Sequence, residues 1–135
     1  MIGLDSNVLL RVFVDDTPIE QSLTARSLLS SVGRNGVRVS VVVLVETIWT
    51  VRRTFGFGQA AITDFIVELL DRPEFEIENR DLVEAALEMF IAFRRVDFAD
   101  CLVAASNASA ACQTTYTFDE DASALDQFTW LGTKA

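Results

Sequence analysis

The sequence contains no histidine, and of its eleven basic residues only Lys134 is a lysine. Without imidazole there is no Ser-His-Asp triad, no Cys-His dyad, no histidine zinc site and no histidine general base. Long apolar runs are also missing. Val41 to Val45 within Val39 to Trp49, as long as any, stops at Glu46, far short of the roughly 20 residues that cross a bilayer, so no membrane partner is expected. Met1-Ile2-Gly3-Leu4-Asp5 lacks a basic stretch before its apolar residues and meets a carboxylate at once, which predicts a cytoplasmic protein. Cys101 and Cys112 are then expected to be reduced, and both to be small buried apolar residues. Basic charge is scarce, with twenty Asp and Glu giving a net charge of -9. Such a chain is a poor phosphate binder unless clustered acids hold metal ions or a basic partner covers them.

The 135 residues suit one domain, 1–135, and half of them are apolar, ten being Phe, enough for a packed core. Short β-rich runs alternate with longer helical segments, which predicts an α/β fold with a parallel sheet and helices on its faces. Strands are expected at Met1–Leu4, Gly36–Ser40, Phe75–Glu78, Thr114–Phe118 and Phe128–Leu131. Helices are expected at Ser6–Phe13, from Thr17 to about Val32, from Ser40 to about Thr54, at Gln59–Leu70, Arg80–Phe93 and Phe98 to about Ser109. Thr17-Pro18-Ile19-Glu20 reads as a capping box with proline at the first helical position. Ser40, Asn79 and Asp97 read as further caps. Val41-Val42-Val43 favours strand by propensity, but the Ser40 cap and the pattern beyond it favour helix.

The functional signal lies in where certain carboxylates fall. Ligands of open parallel sheets gather at the carboxyl ends of the strands. Asp5 ends the first strand and Asp119 the fourth; Glu46 follows the second on its helix; Asp97 and Asp100 share the first turn of the helix before the fourth. Each has a plainer reading. Asp5 and Asp97 suit helix caps, Asp100 the helix dipole, and Asp119 a turn. Glu46 interrupts an apolar run, where a buried lone carboxylate would be costly. Together, like charges from four segments call for cations between them, and hard oxygen ligands suit Mg²⁺ or Mn²⁺.

These residues resemble those of a known family. Asp5-Ser6-Asn7-Val8-Leu9-Leu10-Arg11 is similar to the opening of PIN-domain proteins, in particular the VapC toxins of bacterial type II toxin-antitoxin systems. Val45-Glu46-Thr47-Ile48-Trp49 resembles their central glutamate motif, Asp97-Phe98-Ala99-Asp100-Cys101-Leu102 their third acidic motif, and Thr117-Phe118-Asp119 the last. The resemblance covers nearly the whole chain and implies a PIN-like three-layer fold, a central parallel β-sheet flanked by helices. It implies a Mg²⁺-dependent endoribonuclease acting on single-stranded RNA, transfer or ribosomal, and a VapB-like antitoxin that blocks the site, DNA being reached only through that partner. By position, Asp5, Glu46, Asp100 and Asp119 are the expected catalytic and metal residues, with Asp97 and Asp121 as additional metal acids. Ser6 stands where threonine is frequent. A homodimer is also implied, with Trp49 and the Arg52 to Phe57 stretch as its expected contact.

The chemistry agrees with the resemblance. Phosphodiester hydrolysis needs an activated water and neutralised phosphoryl oxygens, and bound metal supplies both where histidine and lysine are lacking. Ser6, Asn7, Arg11 and Thr117 are candidates to orient an acid or the substrate. Setting aside the six candidate acids leaves a remainder of -3, so RNA binding would rest on metal and on arginines such as Arg11, Arg52 and Arg53. Trp49, Phe55 and Phe57 are candidate base-stacking residues, though core or interface roles suit them too. An aspartyl-phosphate phosphatase or receiver fits less well: Asn7 stands where the phosphatase needs a second aspartate, and no lysine precedes Lys134. A non-catalytic binding domain would be expected to lack one of the four acids, and none is missing.

Overall fold

Residues 1–133 are described by the structure, a computed structural model, so Lys134 lies outside the described residues. In chain order the elements are β1 (Ile2–Gly3), α1 (Ser6–Phe13), α2 (Ile19–Ser30), β2 (Val37–Val39), α3 (Val41–Arg53), α4 (Gln59–Asp71), β3 (Phe75–Ile77), α5 (Arg80–Ala92), α6 (Phe98–Ser109), β4 (Thr115–Thr117), a 3₁₀ turn (Ala122–Ala124) and β5 (Phe128–Trp130). They fall into two compact units, Met1–Glu78 and a second that begins at Asn79.

In the first unit the strands run parallel in the order β1-β2-β3, with Ile2 beside Val37 and Val37 beside Phe75. Val37 and Val39 are buried and Arg38 between them is exposed, the period-two pattern of a strand with one covered face. The valine run of α3 is helical because both ends of its first turn are satisfied. The Ser40 hydroxyl accepts from the Val43 amide at 3.2 Å, and Glu78 accepts from the Val41 amide at 2.8 Å. Leu44, Thr47, Ile48 and Val51 then bury one helical face. Phe13 closes α1 edge-on against Phe65 at 5.0 Å and beside Phe75 at 6.0 Å.

The second unit pairs α5 with α6 and β4 with β5, the strands again parallel. Val83, Ala86, Leu87 and Phe90 are buried from α5, and Phe98, Cys101, Leu102, Ala104 and Ala105 from α6. Phe90 and Phe98 meet edge to face at 5.7 Å. The α/β architecture with parallel pairing is thus the expected one.

Local chemistry departs from expectation at several points. Thr17 does not cap α2. Its amide is taken by Asp16 at 2.8 Å, the Thr17-Pro18 bond is cis, and Pro18 occupies the cap position with extended backbone. The same helix ends at Ser30 rather than Val32, because Ser31 turns both its amide and its hydroxyl onto the Leu28 carbonyl. Asn79 precedes α5 but adopts φ 51 and makes no side-chain cap bond, so a left-handed turn, which asparagine tolerates, starts that helix. Cys101 is buried as expected, whereas Cys112 is exposed just beyond α6. Gly36 is required by space, since an added Cβ would sit 2.8 Å from the Gly33 carbonyl oxygen.

Candidate active site

The first unit carries Asp5, Ser6 and Glu46. Asp5 ends β1 and occupies the cap position of α1, where its Oδ1 accepts from the Ser6 amide at 2.7 Å. The plain cap reading of Asp5 therefore holds for one oxygen. Glu46 lies on α3, and the Ser6 hydroxyl donates to its Oε1 across forty residues of sequence. Ser6 thus joins the segment of Asp5 to the segment of Glu46. Glu46 is exposed, so the cost of burying a lone carboxylate does not apply to it. Its place in an apolar run reflects the exposed face of a helix whose other face is buried.

Asn7 and Arg11 line a cleft of about 660 Å³ between α1 and α2, together with Glu20, Gln21 and Thr24. Arg11 is pinned there. One terminal nitrogen donates to the Asn7 carbonyl at 2.9 Å, the other pairs with Asp16 at 3.4 Å, and its buried Nε has no hydrogen-bond partner among the described residues.

Asp97, Asp100, Thr117, Asp119 and Asp121 belong to the second unit. Asp97 has the extended backbone of a cap residue, but its side chain makes no cap hydrogen bond to α6, which overturns the plain cap reading. Asp100 sits in the first helical turn. Burial first, then the charges of Asp119 and of Asp97, hold its carboxyl above the ordinary aspartate value. Asp119 serves a turn as well: its Oδ1 accepts from the Asp121 amide at 3.0 Å and the Ala122 amide at 3.3 Å. Thr117 accepts the Asp119 amide on its hydroxyl at 3.0 Å, fixing the backbone that carries the acid. Asp121 is exposed and makes no side-chain cap bond to the 3₁₀ turn.

Among the described residues no three His, Cys, Asp or Glu side chains are grouped as a ready-made metal cage. The donor chemistry nevertheless fits a hard divalent cation. Every candidate ligand is a carboxylate oxygen, and the repulsion on Asp100 marks an excess of negative charge that a cation would relieve. One positioning residue was not foreseen. Glu78 holds the first amide of α3 and pairs with Arg38 at 3.2 Å, so it anchors the helix that bears Glu46. Its signal in the sequence is an acid at the carboxyl end of the third strand.

The PIN domain family model matches residues 2–127, and the chain belongs to that family. Its α/β fold is the PIN fold that the four acidic motifs resemble. The chain is similar to a toxin of Mycobacterium tuberculosis, VapC20, described as cleaving the sarcin-ricin loop. The two are 26% identical over 92% of this chain and 94% of that chain, with a TM-score of 0.44. No curated protein matches.

Proposed function

We propose that this chain is a divalent-metal-dependent endoribonuclease, the toxin of a VapBC-like type II toxin-antitoxin pair. The observation that carries the reading is the Ser6 to Glu46 hydrogen bond, which ties the first acidic motif to the second within a PIN-family chain. The acids of the second unit support it, since Asp100 stands within electrostatic reach of Asp119 and Asp97.

In this reading Asp5, Glu46, Asp100 and Asp119 hold Mg²⁺ or Mn²⁺, and Asp97 and Asp121 add negative charge around it. The bound cation supplies an activated water and offsets charge on the scissile phosphate. The chain's own residues do the positioning: Ser6 orients Glu46, Thr117 fixes the Asp119 backbone, and Asn7 with Arg11 forms the polar wall of the neighbouring cleft. With no histidine anywhere and no lysine among the described residues, the chain lacks an imidazole or amine base for this work.

The substrate is transfer or ribosomal RNA and the setting cytoplasmic; among the described residues no helix is long and apolar enough to cross a membrane. The antitoxin is a small protein with a basic segment complementary to the net charge of -9, an arginine of which competes with metal for the acids. A second copy of the chain completes a homodimer.

Incubation of the purified chain with total cellular RNA, followed by sequencing of the 5′ ends, tests the proposal. Discrete cuts that need Mg²⁺ or Mn²⁺ and vanish in chelator are expected. Full cleavage in excess chelator, or intact RNA with either metal, overturns it.

A further inference from the structure

Trp49 and Arg53 occupy the same face of α3 as Glu46, at i+3 and i+7. Along the axis they stand about 4.5 and 10.5 Å beyond it, the reach of roughly three stacked nucleotides at about 3.4 Å each. Trp49 is 58% exposed, although it is one of the two largest apolar side chains available to the core. The Arg53 guanidinium lies over its ring, 5.4 Å from the centroid. Arg11, Arg26, Arg38, Arg72 and Arg80 are each tied to a carboxylate, whereas Arg53, like Arg34, Arg94 and Arg95, has none among the described residues, and of these four it is the one that lies over an aromatic ring. In a chain of net charge -9, an arginine left unneutralised beside an open aromatic ring, on the face of a candidate catalytic acid, is complementary to nucleic acid.

Resting on the ribonuclease reading, we infer that Trp49 and Arg53 form a nucleotide clamp for single-stranded RNA. One base stacks on the Trp49 ring and the Arg53 guanidinium takes an adjoining phosphate, which sets the strand against Glu46. Stacking on tryptophan tolerates any base, so the clamp supplies affinity and register rather than base choice. The other occupant to consider is a second copy of the chain, the role the sequence suggested for this stretch. Charge argues against it: in an isologous contact centred here, Arg53 of each copy would approach its own equivalent.

The test uses W49A, W49F and R53Q in the full chain, with a fluorescein-labelled single-stranded RNA 12-mer as probe. Binding is read by anisotropy in Ca²⁺, which occupies oxygen sites yet positions an attacking water poorly, and KM in Mg²⁺. Light scattering gives the mass of each variant. W49A is expected to weaken binding and raise KM about ten-fold or more, and W49F to stay within about three-fold of the parent. R53Q is expected to flatten the slope of log affinity against log salt by about 0.7, one phosphate's worth. All three keep the parent's mass. Unchanged binding and KM in W49A overturn the clamp, as does a W49A change from dimer to monomer, which gives the surface to a second copy. If the parent cleaves RNA while W49A keeps its KM, only the clamp falls. If the parent neither binds nor cleaves RNA, the ribonuclease reading falls with it.

Discussion

Replacing Asp100 by asparagine sets stability against activity, and the structure gives the sign of both. Burial, Asp119 and Asp97 all raise the Asp100 carboxyl above 3.8, so the folded chain holds that proton more tightly than the unfolded chain does. Stability linked to this group is therefore fully present below the unfolded value and is lost as pH rises through the folded one. At pH 7 an ionised, metal-free Asp100 works against the fold, and D100N, which keeps the shape and removes the charge, is expected to be the more stable protein in chelator. Asp100 is half-buried, so solvent screens part of the repulsion, and the gain belongs at the lower end of charge-optimising substitutions, about 0.5–1 kcal/mol. With an unfolding entropy of about 2.1 cal/mol/K per residue over 135 residues, that is about 2–4 °C in Tm.

Two controls tie the gain to the proposed site. Calorimetry at falling pH should show the D100N advantage shrink, and disappear only once the pH lies well below 3.8, where the parent is protonated in both states. Adding Mg²⁺ should raise the parent's Tm, by about 1.4 kcal/mol of stabilisation at ten times the dissociation constant, and raise that of D100N far less. Cleavage by D100N should meanwhile fall by orders of magnitude. A D100N protein no more stable than the parent in chelator at pH 7, or one whose Mg²⁺ response matches the parent's, would refute the reasoning whatever its activity.

Ser6→Ala removes the hydroxyl that holds Glu46, so turnover is expected to fall about 10–100-fold with little change in denaturation midpoint; parental turnover would show that the bond does not position the acid. The two thiols should separate sharply. Cys101 is fully buried, and burial, then Asp100 and Asp97, push its thiol up to about 12, while Cys112 is exposed. Iodoacetamide at pH 8 should add one group to the native protein and two after denaturation, counted by mass spectrometry; two adducts on the native chain would contradict the buried, electronegative setting of Cys101.

Much of this was legible because the cues are local. Ser6–Phe13 and Phe98–Ser109 have their expected bounds, and α3 begins at its Ser40 cap despite three consecutive valines. A cap bond spans three or four residues, and an apolar face repeats within two turns, so both can be read from a short window. What escaped depends on a choice between local partners or on distant ones. Asp16 outcompetes the expected box for the Thr17 amide, and Asn79 starts its helix through backbone conformation instead of a side-chain bond, a choice its residue type permits but does not force. Glu78 reaches the α3 amide across thirty-seven residues, and Ser6 reaches Glu46 across forty.

The acids show the same division. Their identities and order were enough to suggest metal chemistry, but not which oxygens were already spent. Asp5 and Asp119 each give one oxygen to backbone amides, whereas Asp97 makes no cap bond although its position invited one. An acid that caps a turn with one oxygen is held in place by that bond, and under the proposed function its other oxygen would be the one offered to a cation. The plain and the proposed catalytic readings of Asp5 and Asp119 are therefore compatible: the turn fixes the carboxylate that the proposed chemistry would use.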